Sequence, residues 1–323
     1  QAEDGIRDFC LSRGLGDVYK RQIYENLHKT QKVGGSFNAT YQSKLGITGL
    51  GVDVFVNSIN SNNLGHRNRS VSTLFIEHRF LFFKKQLSIT PGIALNSYSD
   101  FGNFSYPGLD LGWTFSPKAI LYANAGYTYR IPTYTDLFYS DFTTQGNNNL
   151  KPEKALTGEV GFRYGTDKVQ YYLAYFNRKA SDLIDYIKFR EESKWEAKNI
   201  QELTTNGIEA EFQWQFILEE QPQKLIMGYA FLNDNLNAGI VPYSRYSINS
   251  FKHHFTATYH AQFSDKWYFF TAIKFGERPI QEGYTVIDFN LVWKQKKLEL
   301  FFMLNNLLHT RYTETNLVPM PGL

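Results

Sequence analysis

Histidine and cysteine are the residue types here with the widest chemical range, and both are sparse. The 323 residues include seven histidines and a single cysteine, Cys10. His253 and His254 are adjacent, so on a strand they point to opposite faces and cannot bind one metal ion together. His260 shares a face with His254, but no third ligand is evident. We therefore predict no metal site and no cofactor.

The sequence patterns of catalysis and nucleotide binding are also missing. There is no P-loop, dinucleotide fingerprint or nucleophile elbow, and no Ser/His/Asp set is placed to meet at one rim of a fold. The net charge is +3 and the pI is near 8.6. Without a long run of Lys or Arg, this mild charge does not indicate a nucleic-acid partner. The chemistry therefore has to be sought in binding.

The elements that would position a binding site are strands. From about Val33 onward apolar and polar residues alternate, which places successive side chains on opposite faces. Short and long connections also alternate, which predicts a meander with a short-turn rim and a long-loop rim. The pattern predicts fourteen strands, at approximately 33–42, 44–57, 69–82, 86–98, 108–116, 119–130, 155–164, 169–180, 206–216, 224–235, 251–263, 267–276, 284–293 and 297–305.

The tryptophans favour a membrane barrel over a soluble β-sandwich. Four of them share the apolar face and lie within a few residues of a short turn: Trp113, Trp214, Trp267 and Trp293. An indole buries an apolar body while its N–H needs a polar partner, so we expect these side chains to form a membrane-interface girdle. The predicted fold class is all-β, an antiparallel up-and-down transmembrane β-barrel, with outer-membrane lipid as one partner.

Two stretches make the interpretation more specific. YRIPTYTDLF at 129–138, followed by GNNNLKPE at 146–153 and a strand, resembles the barrel signature of TonB-dependent outer-membrane receptors. NNLLHTRYTETNLVPMPG at 305–322 resembles their C-terminal signature. With the alternating pattern, the similarity covers about residue 33 to the end. It implies a receptor in the bacterial outer membrane.

The departures from that family lead us to expect an incomplete barrel. Its members carry a TonB-contacting box and a plug inside a 22-stranded barrel, and neither is found here. The resemblance therefore implies about fourteen strands of the barrel, without the plug and the last strand. Residues 1–22 look like translated sequencing-adapter sequence, which would make Cys10 foreign; a solvated N-terminal arm is the alternative. We accordingly divide the chain into a non-native segment, 1–22, and a partial barrel domain, 23–323.

The resemblance implies active uptake of a scarce, bulky nutrient, with energy delivered by a TonB complex through the missing N-terminal region. Cobalamin or a ferric siderophore is the favoured ligand, by analogy alone. The candidate ligand-binding residues lie in and beside the 24-residue connection 131–154, which is longer than packing requires. They are Arg130, Tyr134, Phe138 and Tyr139.

Charged residues on the polar strand face form a second candidate group. Glu159, Arg163, Glu209 and Glu211 face the lumen by parity and are candidates to hydrogen-bond a plug. For the loop residues, the alternative is that the aromatic side chains only pack on one another. For the charged strand residues, the alternative is a solvated lumen wall. A passive porin-like channel and an outer-membrane barrel enzyme are the alternative functions. A plug-encoding region upstream would distinguish a receptor from a porin, and activity on lipid or peptide without a TonB complex would favour an enzyme.

Overall fold

The computed structural model describes residues 26–237, 243–245, 250–279, 281–314 and 320. The predicted non-native segment, 1–22, lies outside these ranges, as does most of the C-terminal signature beyond residue 314. Among the described residues, no helix is both long and apolar enough to cross a membrane.

Strands make up almost all of the regular structure. There are sixteen, two of them only two residues long, and one short helix, α1 (Tyr134–Phe138). The strands are β1 (His28–Ser43), β2 (Gly46–Ser61), β3 (Gly65–Phe82), β4 (Leu87–Tyr98), β5 (Gly102–Ser116), β6 (Ala119–Arg130), β7 (Thr144–Gln145), β8 (Glu153–Gly165), β9 (Val169–Lys188), β10 (Trp195–Leu218), β11 (Gln221–Asn237), β12 (Tyr243–Ser244), β13 (His253–Ser264), β14 (Trp267–Arg278), β15 (Gln281–Gln295) and β16 (Leu298–Leu304).

The fourteen long strands form one antiparallel meander, as the alternation predicts. Each is hydrogen-bonded to its neighbours in chain order, while β7 pairs with β10 and β12 pairs with β9. Within the described residues, β1 and β16 have a partner on one side only. The sheet is therefore not closed, and the predicted all-β, incomplete up-and-down architecture is confirmed.

Register gives the sheet two chemically different faces. Between β10 and β11, Ile208 pairs with Phe231, Phe212 with Met227, and Trp214 lies beside Leu225. We call the face with these side chains the outer face and the opposite one the inner face. Leu173 on β9 belongs to the outer face and is 51% exposed. So wide an apolar surface is unfavourable in water and suits a lipid bilayer.

The inner face lets aromatic rings lie along the sheet. A Cβ at Gly161 of β8 would collide with the ring of Tyr122 from β6, and one at Gly207 of β10 would collide with the ring of Phe176 from β9. Glycine therefore leaves the space in which each ring packs against the neighbouring strand.

One predicted connection is much shorter than expected. The segment 181–205 has no clean alternation, and we expect a long loop there. Instead β9 and β10 continue as a paired hairpin, with Ile200 opposite Leu183 and Ala197 opposite Tyr186. The hairpin persists because its apolar side chains pack on the 131–152 connection. Leu137, Leu150, Ile184, Tyr186 and Ala197 form a small buried cluster there.

Candidate functional site

Arg130 joins four elements at the long-loop rim. It is the last residue of β6, and its guanidinium lies 3.0 Å from the Asp136 carboxylate of α1 and 2.7 Å from Glu153 at the start of β8. It also donates to the Ile184 carbonyl of β9 at 3.3 Å, while Glu153 accepts from the Ile184 N–H at 2.7 Å. Residues from both halves of the first signature thus form one network, which we call the rim knot.

Local capping explains why the chain folds into this knot. Thr133 is the N-cap of α1, and its hydroxyl accepts from the Asp136 N–H at 3.1 Å. Asp136 returns the contact by accepting from the Thr133 N–H at 2.9 Å, which completes a capping box. Pro132 before it is fully buried. Asn147 donates to the Ala197 carbonyl at 3.1 Å and ties the connection to β10.

Charge and hydrogen bonding stabilise the charged form of Arg130. Burial by itself lowers the pKa of Arg130, but the bonds and charges of Glu153 and Asp136 outweigh it, so this pKa lies above its ordinary value. Asp136 and Glu153 are nearly buried, and a buried carboxylate needs such a partner. Arg130 is therefore engaged in holding the connection, with about 43% of its side chain exposed.

The three predicted aromatic site residues follow Arg130 in the same connection. The Arg69 guanidinium lies over the Tyr134 ring, with its Cζ atom 5.1 Å from the ring centroid. The Arg67 guanidinium lies over the Phe138 ring in the same way, at 3.8 Å. The Tyr139 hydroxyl donates to Asp141 at 3.0 Å. The structure thus brings the four candidates into one loop assembly. Arginines on β3 fix two of the rings, a relation that no local pattern could reveal.

Asp141 closes a tight turn within the connection. One carboxylate oxygen accepts from the N–H groups of Thr143 at 2.7 Å and Thr144 at 2.6 Å. Burial raises the pKa of Asp141, but these bonds together with that from Tyr139 lower it more, and the result lies below the ordinary value.

A cavity of about 850 Å³ opens beside the rim knot. Asp185 and Arg245 are lining residues that the sequence patterns did not reveal. Asp185 is fully buried and accepts from the Ser244 hydroxyl at 2.5 Å. Its signal in the sequence is a lone carboxylate inside the apolar run 183–187. The lining also includes Arg130, Thr133, Thr135, Asp136, Tyr139, Asp141, Thr143, Thr144, Glu153, Leu183, Ile184, Tyr186 and Leu203.

The four charged residues predicted for the lumen lie on the inner face by register. Glu159 accepts from the Tyr122 hydroxyl at 2.6 Å, and the Arg163 guanidinium lies 4.7 Å from the same ring. Glu211 lines a separate cavity of about 500 Å³ together with Arg163. Glu209 lies on β10 opposite Ala174 of β9. The inner wall thus presents paired charges and phenols.

Comparison with known proteins assigns the chain to a family. The family described as "TonB dependent receptor-like, beta-barrel" matches residues 7–307. The chain belongs to this family. It is a TonB-dependent receptor barrel, and barrels of this family lie in the bacterial outer membrane.

Individual relatives agree with the assignment. A vitamin B12 transporter from Vibrio vulnificus is 30% identical over 130 residues, which cover 40% of this chain and 21% of that protein. The siderophore receptor PirA from Pseudomonas aeruginosa has a TM-score of 0.69 at 15% identity, covering 88% of this chain and 53% of that one. The copper transporter OprC has a TM-score of 0.73 at 17% identity, with 92% and 56% covered. The chain thus spans about half the length of these solved structures.

Four of the five tryptophans of the receptor barrel lie at the short-turn rim. Trp267 and Trp293 are directly paired across β14 and β15, each next to a short turn. Trp113 and Trp214 lie on the outer face close to the β5–β6 and β10–β11 turns, and they are 50% and 40% exposed. Trp195 instead begins β10 and packs on the buried cluster of the long-loop rim.

Metal-binding residues do not converge in the described part of the receptor barrel. No three His, Cys, Asp or Glu side chains there come close enough together to hold an ion. His253 lies on the outer face, where its ring nitrogen is 2.8 Å from the Tyr229 hydroxyl, while His254 lies on the inner face against Phe251.

Proposed function

We propose that this receptor barrel mediates active, TonB-dependent uptake of a scarce and bulky nutrient. The family match over residues 7–307 carries the proposal. The cavity beside the rim knot supports it, because its volume of about 850 Å³ lies in the range of ligand-binding clefts. A binding surface also needs a rigid scaffold. The rim knot supplies one by fixing the 131–152 connection to three strands.

Cobalamin or a ferric siderophore is the ligand class that we favour. One relative is a vitamin B12 transporter and one structural neighbour is a siderophore receptor. A copper transporter shares the same fold, so the fold alone does not select among them. Arg130, Tyr134, Phe138 and Tyr139 are the proposed contacts, to which the cavity adds Arg245. The lining of this cavity combines two arginines with four carboxylates, so it offers hydrogen-bonding groups of both charges to a polar ligand.

The proposed partners follow from the same assignment. A TonB complex would supply energy through a region N-terminal to the barrel, and lipid would cover the outer face. Glu159, Arg163, Glu209 and Glu211 are proposed to contact a plug, because they line the inner wall with hydrogen-bonding groups facing the lumen. The protein would bind its ligand without transforming it, and a nucleic-acid partner is not part of the proposal.

Uptake in a bacterial host that lacks its own receptors tests the proposal. Expression of a full-length receptor that carries this barrel segment should restore accumulation of radiolabelled cobalamin or ferric siderophore when TonB is present and fail when TonB is deleted. Equal accumulation in the hosts with and without TonB would contradict the proposal and indicate a passive channel. Conversion of a lipid or peptide by the purified protein would replace it with an enzyme.

A further inference from the structure

Lysine is concentrated in the short turns. At the short-turn rim, six of the seven described turns contain at least one lysine, and the exception is the β10–β11 turn with Glu219 and Glu220. The turn lysines are Lys44, Lys84, Lys85, Lys118, Lys168, Lys266, Lys296 and Lys297. Because they are spread along the chain, they become one cationic rim only when the meander folds.

Two neighbouring turns build a groove from these lysines. The β13–β14 and β15–β16 turns are joined by a backbone bond from the Lys294 N–H to the Lys266 carbonyl at 2.8 Å. A cavity of about 790 Å³ lies between them. We call it the lysine groove. Its lining is Asp265, Lys266, Tyr268, Lys294, Gln295, Lys296, Lys297 and Leu298.

The groove has an excess of positive charge. Its lining contains four lysines and one carboxylate. Lys294 also lies 3.6 Å from Glu299, but both side chains are more than half exposed, so this pair is weak. An anion entering the groove would therefore meet several ammonium groups held by two short, hydrogen-bonded turns.

Its position sets the depth at which that anion would lie. Lys266 precedes Trp267 and Lys294 follows Trp293, and these two tryptophans pair on the outer face. Turn residues one to four positions beyond an indole lie about 3 to 13 Å farther along the strand direction. Lysine stems can follow the apolar surface while the ammonium stays in the headgroup layer.

Apolar surface continues from the groove. Gln295 and Leu298 have outer-face parity, while Tyr268 and Lys294 have inner-face parity, so the groove crosses the end of the sheet. From Leu298 an exposed apolar row runs up β16 through Leu300 and Phe302. A free phosphate would use only the lysines, whereas a lipid would use both surfaces.

We propose that the lysine groove binds the phosphate of an anionic phospholipid from the leaflet that borders the short turns. The acyl chains then lie along the apolar row of β16. This site rests on the outer-membrane location of the receptor barrel and is independent of the nutrient taken up at the other rim.

Lipid binding by matched double variants tests the site. The receptor, purified in nanodiscs, is compared with K296Q/K297Q in the groove and K84Q/K85Q in another turn of the same rim. Titration with phosphatidylglycerol should show about tenfold or more weaker binding for K296Q/K297Q, as expected from losing two juxtamembrane lysines. K84Q/K85Q, which removes the same charge elsewhere, should bind as the wild type does.

Several outcomes would overturn the proposal. Equal weakening in both variants would show diffuse attraction to the rim, and no weakening would show that the groove is not the site. Equal binding of phosphatidylcholine, or displacement by inorganic phosphate at millimolar concentration, would remove the anionic lipid as ligand. A heat-modifiable band in gels shows that each variant is folded.

A wild-type measurement avoids the variants altogether. Phosphatidylglycerol with a photoreactive group should label peptides 265–268 and 294–298 more than those of the other short turns. Uniform labelling of all turns would contradict the site. Loss of nutrient uptake with intact lipid labelling would instead count against the proposed function alone.

Discussion

The two rims of the receptor barrel are stabilised by different interactions. At the long-loop rim, the partly exposed Arg130 binds the nearly buried carboxylates of Asp136 and Glu153 beside a small apolar cluster. At the short-turn rim, the strands end in turns of two to four residues, with exposed lysines and indoles around them. The first rim is held by side-chain contacts between elements, whereas the second presents exposed side chains that lipid would surround under the proposed function. On that proposal, changes in the connections of the first rim would leave the lipid-facing rim unaltered.

The largest effect is expected on the outer face between the rims. Phe212→Arg places a charge near the midplane and should lower the free energy of unfolding by about 2 to 4 kcal/mol. Gln213→Arg, its neighbour on the inner face, should cost little. Equilibrium unfolding in liposomes measures both. Equal penalties would remove the distinction between a lipid face and a lumen face.

The rim knot should give the next largest effect. Arg130→Met leaves two nearly buried carboxylates without their partner and should cost about 2 kcal/mol, below the value for fully buried pairs because Arg130 is partly exposed. Hydrogen exchange at the Ile184 amide should report the local opening.

Lys179→Met is the control for the knot. It breaks an exposed pair with Glu202, at 3.6 Å, near the same rim but on the outer face. This change should cost less than about 0.5 kcal/mol. If both variants lost the same stability, the knot would hold the connection no better than a surface ion pair does.

Acid should loosen the turn at Asp141. Its pKa is lowered in the folded state, so its stabilising contribution is full above the ordinary aspartate pKa and is lost as the pH falls through the folded pKa. Exchange of the amides of Thr143 and Thr144, corrected for intrinsic rates, should therefore rise at acid pH. In D141N this rise should disappear, and persistence of the rise would assign it to another group.

The smallest effect on stability is expected from cysteine substitutions that report which rim faces the cell exterior. Single cysteines at Asn148 and Asp265 lie in exposed positions at opposite rims. An impermeant maleimide added to whole cells should label only Asn148→Cys. Labelling of Asp265→Cys instead would exchange the two rims and move the lysine groove to the outer leaflet.

The sequence predicts the wall of this molecule better than its rims. Period-two alternation is local, so β11 and β14 follow from residues that are close in the chain. The Arg130 contact with Glu153 depends on β6 pairing with β8, and the Asp185 contact with Ser244 spans 59 positions. Neither leaves a periodic signal. The continuation of β9 to Lys188 was missed because its stabilising partners lie in another connection.

Glycine on the inner wall has a consequence for transport. The rings of Tyr122 and Phe176 lie flat because Gly161 and Gly207 leave room beneath them. A methyl group at either position would push the neighbouring ring away from the wall. Under the proposed function, a change to alanine at Gly161 or Gly207 would therefore narrow the passage for the nutrient without altering any charged or loop residue.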